Sequence, residues 1–149
     1  MGQKTHPTGF RIGVNKTQTS TWFANYSAFS DVLKEDYQIR QFFEKEFSVL
    51  YNKAGIAKLE IKRKVNQLEL LIYAARPKSI ASGSDEEGTI LKLQSKLKKI
   101  LKESKQIRIK VLQVNKSENE SSLVARSLAD QLEKRVAFRK AIRQTTQML

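Results

Sequence analysis

The period of hydrophobic and polar positions changes several times along the chain, and each change marks an element. From Asp31 to Tyr51, Leu33, Tyr37, Ile39, Phe42, Phe43, Phe47, Leu50 and Tyr51 recur at steps of three and four, which predicts an amphipathic helix. Ser30 or Asp31 is its expected N-cap, and Asp36, Arg40 and Glu44 fall at i, i+4 and i+8 on its expected outer face, where opposite charges pair. Asn52 to Gly55 ends it. The period then shortens to two: Leu59 and Ile61 alternate with Lys58, Glu60 and Lys62 across Ile56–Lys64, the mark of a half-buried strand. Val65, Asn66 and Gln67 form a turn, and Leu68–Ala75 returns as a second strand in an antiparallel hairpin. Arg76-Pro77 closes it, because proline has no N–H for the ladder and holds its predecessor extended.

After a loop, the helical period resumes from Thr89 to Ser104, with Ile90, Leu93, Leu97, Ile100 and Leu101 inward and Lys92, Lys96, Lys99 and Lys102 outward. Ile107–Val114 reads as a third strand, Asn115–Ser121 as a polar turn, Ser122–Lys134 as a helix, and a last helix runs from about Val136. This order predicts an α+β fold, a small sheet covered by helices.

Charge sharpens the picture. The 149 residues carry 28 Lys+Arg against 15 Asp+Glu, a formal net charge of +13, well beyond the roughly 2 to 8 that solubility asks of a small domain. Residues 1–30 contain no acidic residue and hold Lys4, Arg11 and Lys16 among Gly, Thr, Asn and Pro, so they are expected to form an extended basic arm. The partner implied by such a balance is a polyanion, nucleic acid first. Cysteine is absent and His6 is the single histidine, which removes disulfides, thiolate metal sites, thiol nucleophiles and multi-histidine centres. No cofactor or metal is expected, and no enzyme of RNA metabolism, since neither paired metal carboxylates nor a nucleophile with its base is present. No membrane-length apolar run occurs. The N-terminus has no signal-peptide core, so the chain is expected to begin at Met1 and remain in a reducing compartment.

Gly83 and Gly88 have the glycine spacing of a phosphate-binding loop, but Thr89 and Ile90 follow where Lys and Ser/Thr are required, and Asp85, Glu86 and Glu87 would repel a triphosphate. Acids at a helix start suit its positive end instead. His6 is expected to stack or hydrogen-bond rather than ligate metal. Trp22, Phe23 and Tyr26 have two uses: stacking on bases, or a small core near the arm, which the sequence favours. Arg135, Arg139 and Arg143 fall at i, i+4 and i+8 with Lys140 beside them. On one helix they form a guanidinium row that tracks a phosphate backbone or faces solvent.

Several segments resemble one family, the third protein of the small ribosomal subunit in its bacterial or organellar form. MGQKTHPTGFRIG is similar to that family's N-terminal arm. Trp22-Phe23-Ala24 with Leu33, Glu35-Asp36 and Ile39-Arg40 looks like its next signature. AGIAKLEIKR with Ala75-Arg76-Pro77 resembles its central hairpin, and Leu123 to Arg143 its L-V-A, Q-L-E, R-V-x-F-R motif.

The resemblance covers essentially the whole chain. It implies a basic arm at 1–30, a type II KH domain of three strands and three helices at 31–114, and at 115–149 a linker helix and the start of a C-terminal domain. KH modules clamp nucleotides with a G-x-x-G loop; here Ile80 to Gly88 with its acid cluster stands in place of the family's glycine-lysine-lysine-glycine. The implied ribosomal-RNA contacts are Gly2, Gln3, Lys4, His6, Arg11 and Lys16, and the implied messenger-RNA-facing residues are Arg135, Arg139, Lys140 and Arg143, at the entrance channel of the small-subunit head. The implied partners are small-subunit ribosomal RNA, mRNA and neighbouring head proteins. A separate chain or further segment is expected to cover the apolar stripe Phe138, Ala141, Ile142 and Met148. Within that resemblance, the lysine-rich composition, the expected lack of an import peptide and the replaced KH glycines point to a plastid ribosome in the stroma, with bacterial cytoplasm and mitochondrion as alternatives. A free-standing KH protein acting as RNA chaperone or translation regulator is the competing function.

Overall fold

The computed structural model describes residues 2–46, 54–81, 86–101, 106–115 and 119–148. Four strands form one sheet in the order β1-β2-β3-β4: β1 (Ser20–Thr21), β2 (Ile56–Lys64), β3 (Gln67–Ala74) and β4 (Gln106–Gln113). The expected hairpin is present, with Ile61 opposite Leu70 and Lys64 opposite Gln67 across the turn at Val65 and Asn66. Strand β4 runs parallel to β3. Strand β1 was not foreseen. Ser20 and Thr21 pair in parallel with Ile61 and Lys62, so the end of the basic arm extends the sheet. Two residues are too few to show a period.

Helix α1 (Pro7–Arg11) is also unexpected in an arm read as extended. Proline at its first position supplies helical φ without a wasted donor, and His6 caps it as its Nδ1 accepts from the Gly9 N–H at 3.3 Å. Helix α2 (Tyr26–Glu46) starts five residues before Asp31, so Ser30 and Asp31 lie inside it rather than capping it. Tyr, Ser and Phe are modest helix formers; tertiary contact wins here, because Phe29 packs on Trp22 with ring centroids 5.3 Å apart.

Ile39, Phe42 and Phe43 of α2 are buried, but Leu33 and Tyr37 point outward at 53% and 61% exposure. Asp36, expected on the outer face, is buried at 4%. The helix therefore carries two apolar stripes, and one of them faces solvent. The expected continuation to Tyr51, and Asn52, lie outside the described residues.

A short helix α3 (Lys78–Ala81) follows Pro77 and delivers Ile80 to the core at 1% exposure. Helix α4 (Glu86–Leu101) begins with Glu86 and Glu87 in its first turn, and Leu93, Leu97 and Leu101 are buried at steps of four. Gly83, Asp85, Lys102 and Ser104 lie outside the described residues. With Ile56, Ile61, Leu68, Leu70, Ile72 and Ile107 from the strands, these side chains make one core between the helices and a face of the sheet. The order α2-β2-β3-α3-α4-β4 is that of a type II KH domain, so the expected α+β fold holds.

Helix α5 (Ser121–Glu133) lies against the start of β2, where the Ser122 hydroxyl donates to the Ala57 carbonyl at 3.2 Å. Gly55 sits beneath it at φ +61°, and a Cβ there would meet the Ala75 side chain at 3.2 Å. Helix α6 (Phe138–Met148) buries Ala141 and Thr145. No described helix is long and apolar enough to cross a membrane.

Candidate nucleic-acid interface

The basic side chains divide into those the fold engages and those it leaves facing water. Arg63 on β2 belongs to the first group. Its Nε and one terminal nitrogen donate to Asp36 Oδ1 at 2.8 and 2.6 Å, and its other terminal nitrogen pairs with Glu35. The Trp22 indole N–H donates to Asp36 Oδ2 at 2.8 Å, so both carboxylate oxygens are occupied. Arg40 reaches the Ser20 hydroxyl at 2.8 Å and the Thr19 hydroxyl at 3.1 Å, holding β1 to the sheet. Across the β3–β4 pair, Lys110 of β4 pairs with Glu69 of β3. The hydrogen bond from Lys110, with its charge and those of Lys64 and Lys62, holds the Glu69 carboxyl below the usual carboxylate range.

The arm belongs to the second group. Gly2, Gln3, Lys4, His6, Arg11 and Lys16 are all exposed. The chain folds back between Arg11 and Lys16: the Lys16 N–H donates to the Arg11 carbonyl at 3.1 Å and the Gly13 N–H to the Lys16 carbonyl at 3.0 Å. Gly13 turns at φ +86°, a conformation that glycine adopts without a steric penalty. The loop brings the backbones of Arg11 and Lys16 together, with Phe10 and Val14 exposed at 75% and 87% between the cations. Positive charge interleaved with flat apolar surface suits a nucleic-acid strand, which offers phosphates and base faces together.

The second exposed group is on α6, and here the sequence reading needs correction. Arg135 is not on that helix. It occupies a left-handed conformation, φ +59°, two residues beyond the end of α5. Its N–H donates to the Leu132 carbonyl at 2.9 Å, and the Val136 N–H to the Gln131 carbonyl at 3.1 Å. This is the Schellman pattern, with arginine where glycine is usual, and it breaks the three-arginine row. Arg139, Lys140 and Arg143 remain together on α6, all exposed, with Arg139 and Arg143 one turn apart at roughly 5–6 Å between Cβ atoms. The Arg139 guanidinium lies 5.7 Å from the Phe138 ring centroid. Helix α6 contains no acidic residue, so nothing on its own surface neutralises them.

The expected apolar stripe on α6 is split. Ala141 is fully buried, whereas Phe138, Ile142 and Met148 are exposed at 60%, 55% and 67%. The small core read into Trp22, Phe23 and Tyr26 holds for Trp22 alone. Phe23 and Tyr26 are exposed at 92% and 99%. Together with Phe29, Leu33 and Tyr37 they were the surface the sequence reading missed, although positions 26, 29, 33 and 37 repeat at the helical steps already noted for the core.

No family model matches the chain. Individual proteins do. The chain is similar to small ribosomal subunit protein uS3c of Emiliania huxleyi, 66% identical over all 149 residues, which span 69% of that protein. It is 47% identical over 147 residues to uS3c of Pyropia yezoensis and 41% identical over 147 residues to uS3 of Synechocystis, spanning 61% and 59% of those proteins. It thus spans about three-fifths of the length of the red-algal and cyanobacterial relatives. Identity that runs from the arm through the KH domain to the last basic helix, in plastid and bacterial proteins alike, shows that the chain belongs to the uS3 family of small ribosomal subunit proteins.

Proposed function

We propose that this protein is a structural constituent of the small ribosomal subunit of a plastid in the stroma, binding small-subunit ribosomal RNA through its arm and messenger RNA through α6. The observation that carries the reading is the whole-chain identity to uS3c and uS3 proteins. Two exposed basic groups on separate elements support its division of labour.

Among the described residues, 2–16 make their hydrogen bonds with one another, including the Arg11 guanidinium to the Pro7 carbonyl at 2.9 Å and the His6 cap on Gly9, so Lys4, Arg11 and Lys16, with Gly2, Gln3 and His6, stay exposed to follow RNA helices of the head. Arg139, Lys140 and Arg143 present charge from a rigid helix, which suits a strand that must slide past, because contact with phosphates carries no sequence preference. Arg135 adds its charge at the turn before them. Catalysis has no part in this role; translocation supplies the work and the cations hold separated strands. Phe138, Ile142 and Met148 are the surface against which further polypeptide, from a continuing chain or a separate one, would pack.

The test is sedimentation. The protein is expected in small-subunit fractions at low salt, and deletion of residues 2–16 is expected to reduce its incorporation severely. A protein that stays at the top of the gradient would instead be a free-standing KH factor.

A further inference from the structure

The two faces of the sheet carry different chemistry. Ile61, Leu68, Leu70, Ile72 and Ile107 enter the core beneath the helices, and successive strand residues point to opposite faces. The alternate positions Lys62, Lys64, Glu69, Leu71, Arg108 and Lys110 therefore share the face turned away from α2 and α4. Four of these six are cations, and all four are exposed.

The strand register sets them around one carboxylate. Glu69 lies opposite Lys62 on one side and opposite Arg108 on the other. Lys64 stands one face position further towards the hairpin turn, and Lys110 one position further from it. With strands about 4.8 Å apart and about 3.4 Å per residue, the backbones of Lys62 and Arg108 are about 10 Å apart, and Lys64 and Lys110 each lie about 7 Å from their strand neighbours. Lys110 is paired with Glu69, while Lys62, Lys64 and Arg108 form no ion pair among the described residues. The hydrogen bond from Lys110, with its charge and those of Lys64 and Lys62, is what depresses the Glu69 carboxyl, so the positive field of this face already acts on the one anion within it.

Charge selects a polyanion, and the state of the apolar side chains selects its form. Leu71 on this face is only 7% exposed. Tyr73, at the far end, is engaged: its hydroxyl donates to Glu60 at 3.4 Å, and the Lys58 ammonium lies 5.9 Å from its ring centroid. Single-stranded RNA is held on rings that stack its bases. A double helix keeps its bases inside and is met through phosphates and 2′-hydroxyls, which suits a flat sheet whose ladder fixes the spacing of its cations. We infer that the open face of the sheet, through Lys62, Lys64, Arg108 and Lys110, binds the phosphate backbone of double-helical RNA. It is a third surface, separate from the arm and α6, on the side opposite α3 and α4, which flank the segment standing in place of the KH strand clamp. The inference deepens the ribosomal reading above, because the duplex is assigned to a helix of small-subunit ribosomal RNA.

The 149-residue chain is first titrated with an RNA duplex of about 16 base pairs, the length that one duplex-binding module spans. K62Q/K64Q/R108Q is expected to lower the slope of log affinity against log salt by about 2–3, at roughly 0.9 per phosphate contact, with an unchanged thermal melt. K34Q/K45Q/K98Q removes three exposed cations from the helices instead and is expected to lower the slope by less than about 1. Glu69→Gln, which frees Lys110 and removes the central anion, is expected to raise affinity severalfold. An equal loss of slope in the two triple variants, or no gain from Glu69→Gln, overturns the proposal. In assembled small subunits, Gln106→Cys, on the same face of a chain without cysteine of its own, carries a tethered iron–EDTA cleaver. Cuts in a base-paired segment of ribosomal RNA are expected. Cuts confined to unpaired RNA or to protein, or none in subunits that contain the labelled chain, overturn the proposal. If the unmodified chain fails to sediment with subunits, the ribosomal reading falls, and the duplex titration alone decides this one.

Discussion

The junction between α2 and β2 and the surface of α6 each hold several charged groups, yet they use them in opposite ways. At the junction the Arg63 side chain is 9% exposed and the Asp36 side chain 5%, and every bond between them is made inside the protein. On α6, Arg139, Lys140 and Arg143 face water and, among the described residues, form no ion pair. A buried charge is tolerable only while its partner stays. An exposed one costs the fold almost nothing and remains available to a ligand. The net charge of +13 is therefore a poor measure of binding capacity by itself; what counts is which cations the fold has already engaged.

The largest effect that would test this contrast is at the junction. Asp36→Ala strips Arg63 and the Trp22 indole of their shared acceptor, and unfolding in urea is expected to show a loss of about 3–5 kcal/mol. A loss below about 1 kcal/mol would place Asp36 in the same class as the surface charges. Replacing Arg139, Lys140 and Arg143 together by alanine is the converse experiment. Stability is expected to stay within about 0.5 kcal/mol, while the slope of log affinity against log salt for single-stranded RNA falls by about 2, at roughly 0.7 per phosphate contact. An unchanged slope would remove α6 from the interface. The smallest effect is expected from Arg135→Gly, which relieves the left-handed backbone and raises stability by up to about 1 kcal/mol, with the salt slope lowered by no more than about 0.7. A destabilised variant would show that the arginine side chain, not the turn, holds α5 to α6.

Much of this contrast was legible in the sequence, and the parts that were not share a cause. Periodicity found the hairpin, the third strand and the helices because burial on one face imposes a repeat on the residues themselves. It could not say which of two apolar stripes on α2 faces inward. Leu33 and Tyr37 follow the same steps as Ile39 and Phe43, and only the position of the sheet separates them. Asp36 read as a surface charge because its partners, Arg63 and Trp22, lie 27 and 14 positions away. The row of arginines was real as spacing and wrong as geometry, since one positive φ at Arg135 ends α5 before α6 begins. The arm's cations are exposed, but its helical turn was missed, although His6-Pro7 already held the cap and first residue of a helix.

The pairing of β1 has a consequence for the order of events while the chain is being made. Ser20 and Thr21 cannot join the sheet until Ile61 and Lys62 exist, and β3 waits in the same way for Gln106–Gln113. Only the β2–β3 hairpin joins neighbours in sequence, and pairings between distant residues form late. During synthesis from the N-terminus the basic arm therefore emerges first and docks onto its own domain only after forty further residues have appeared. A polyanion can reach that arm before the domain that will carry it has folded, which makes early capture by RNA a matter of timing built into the topology.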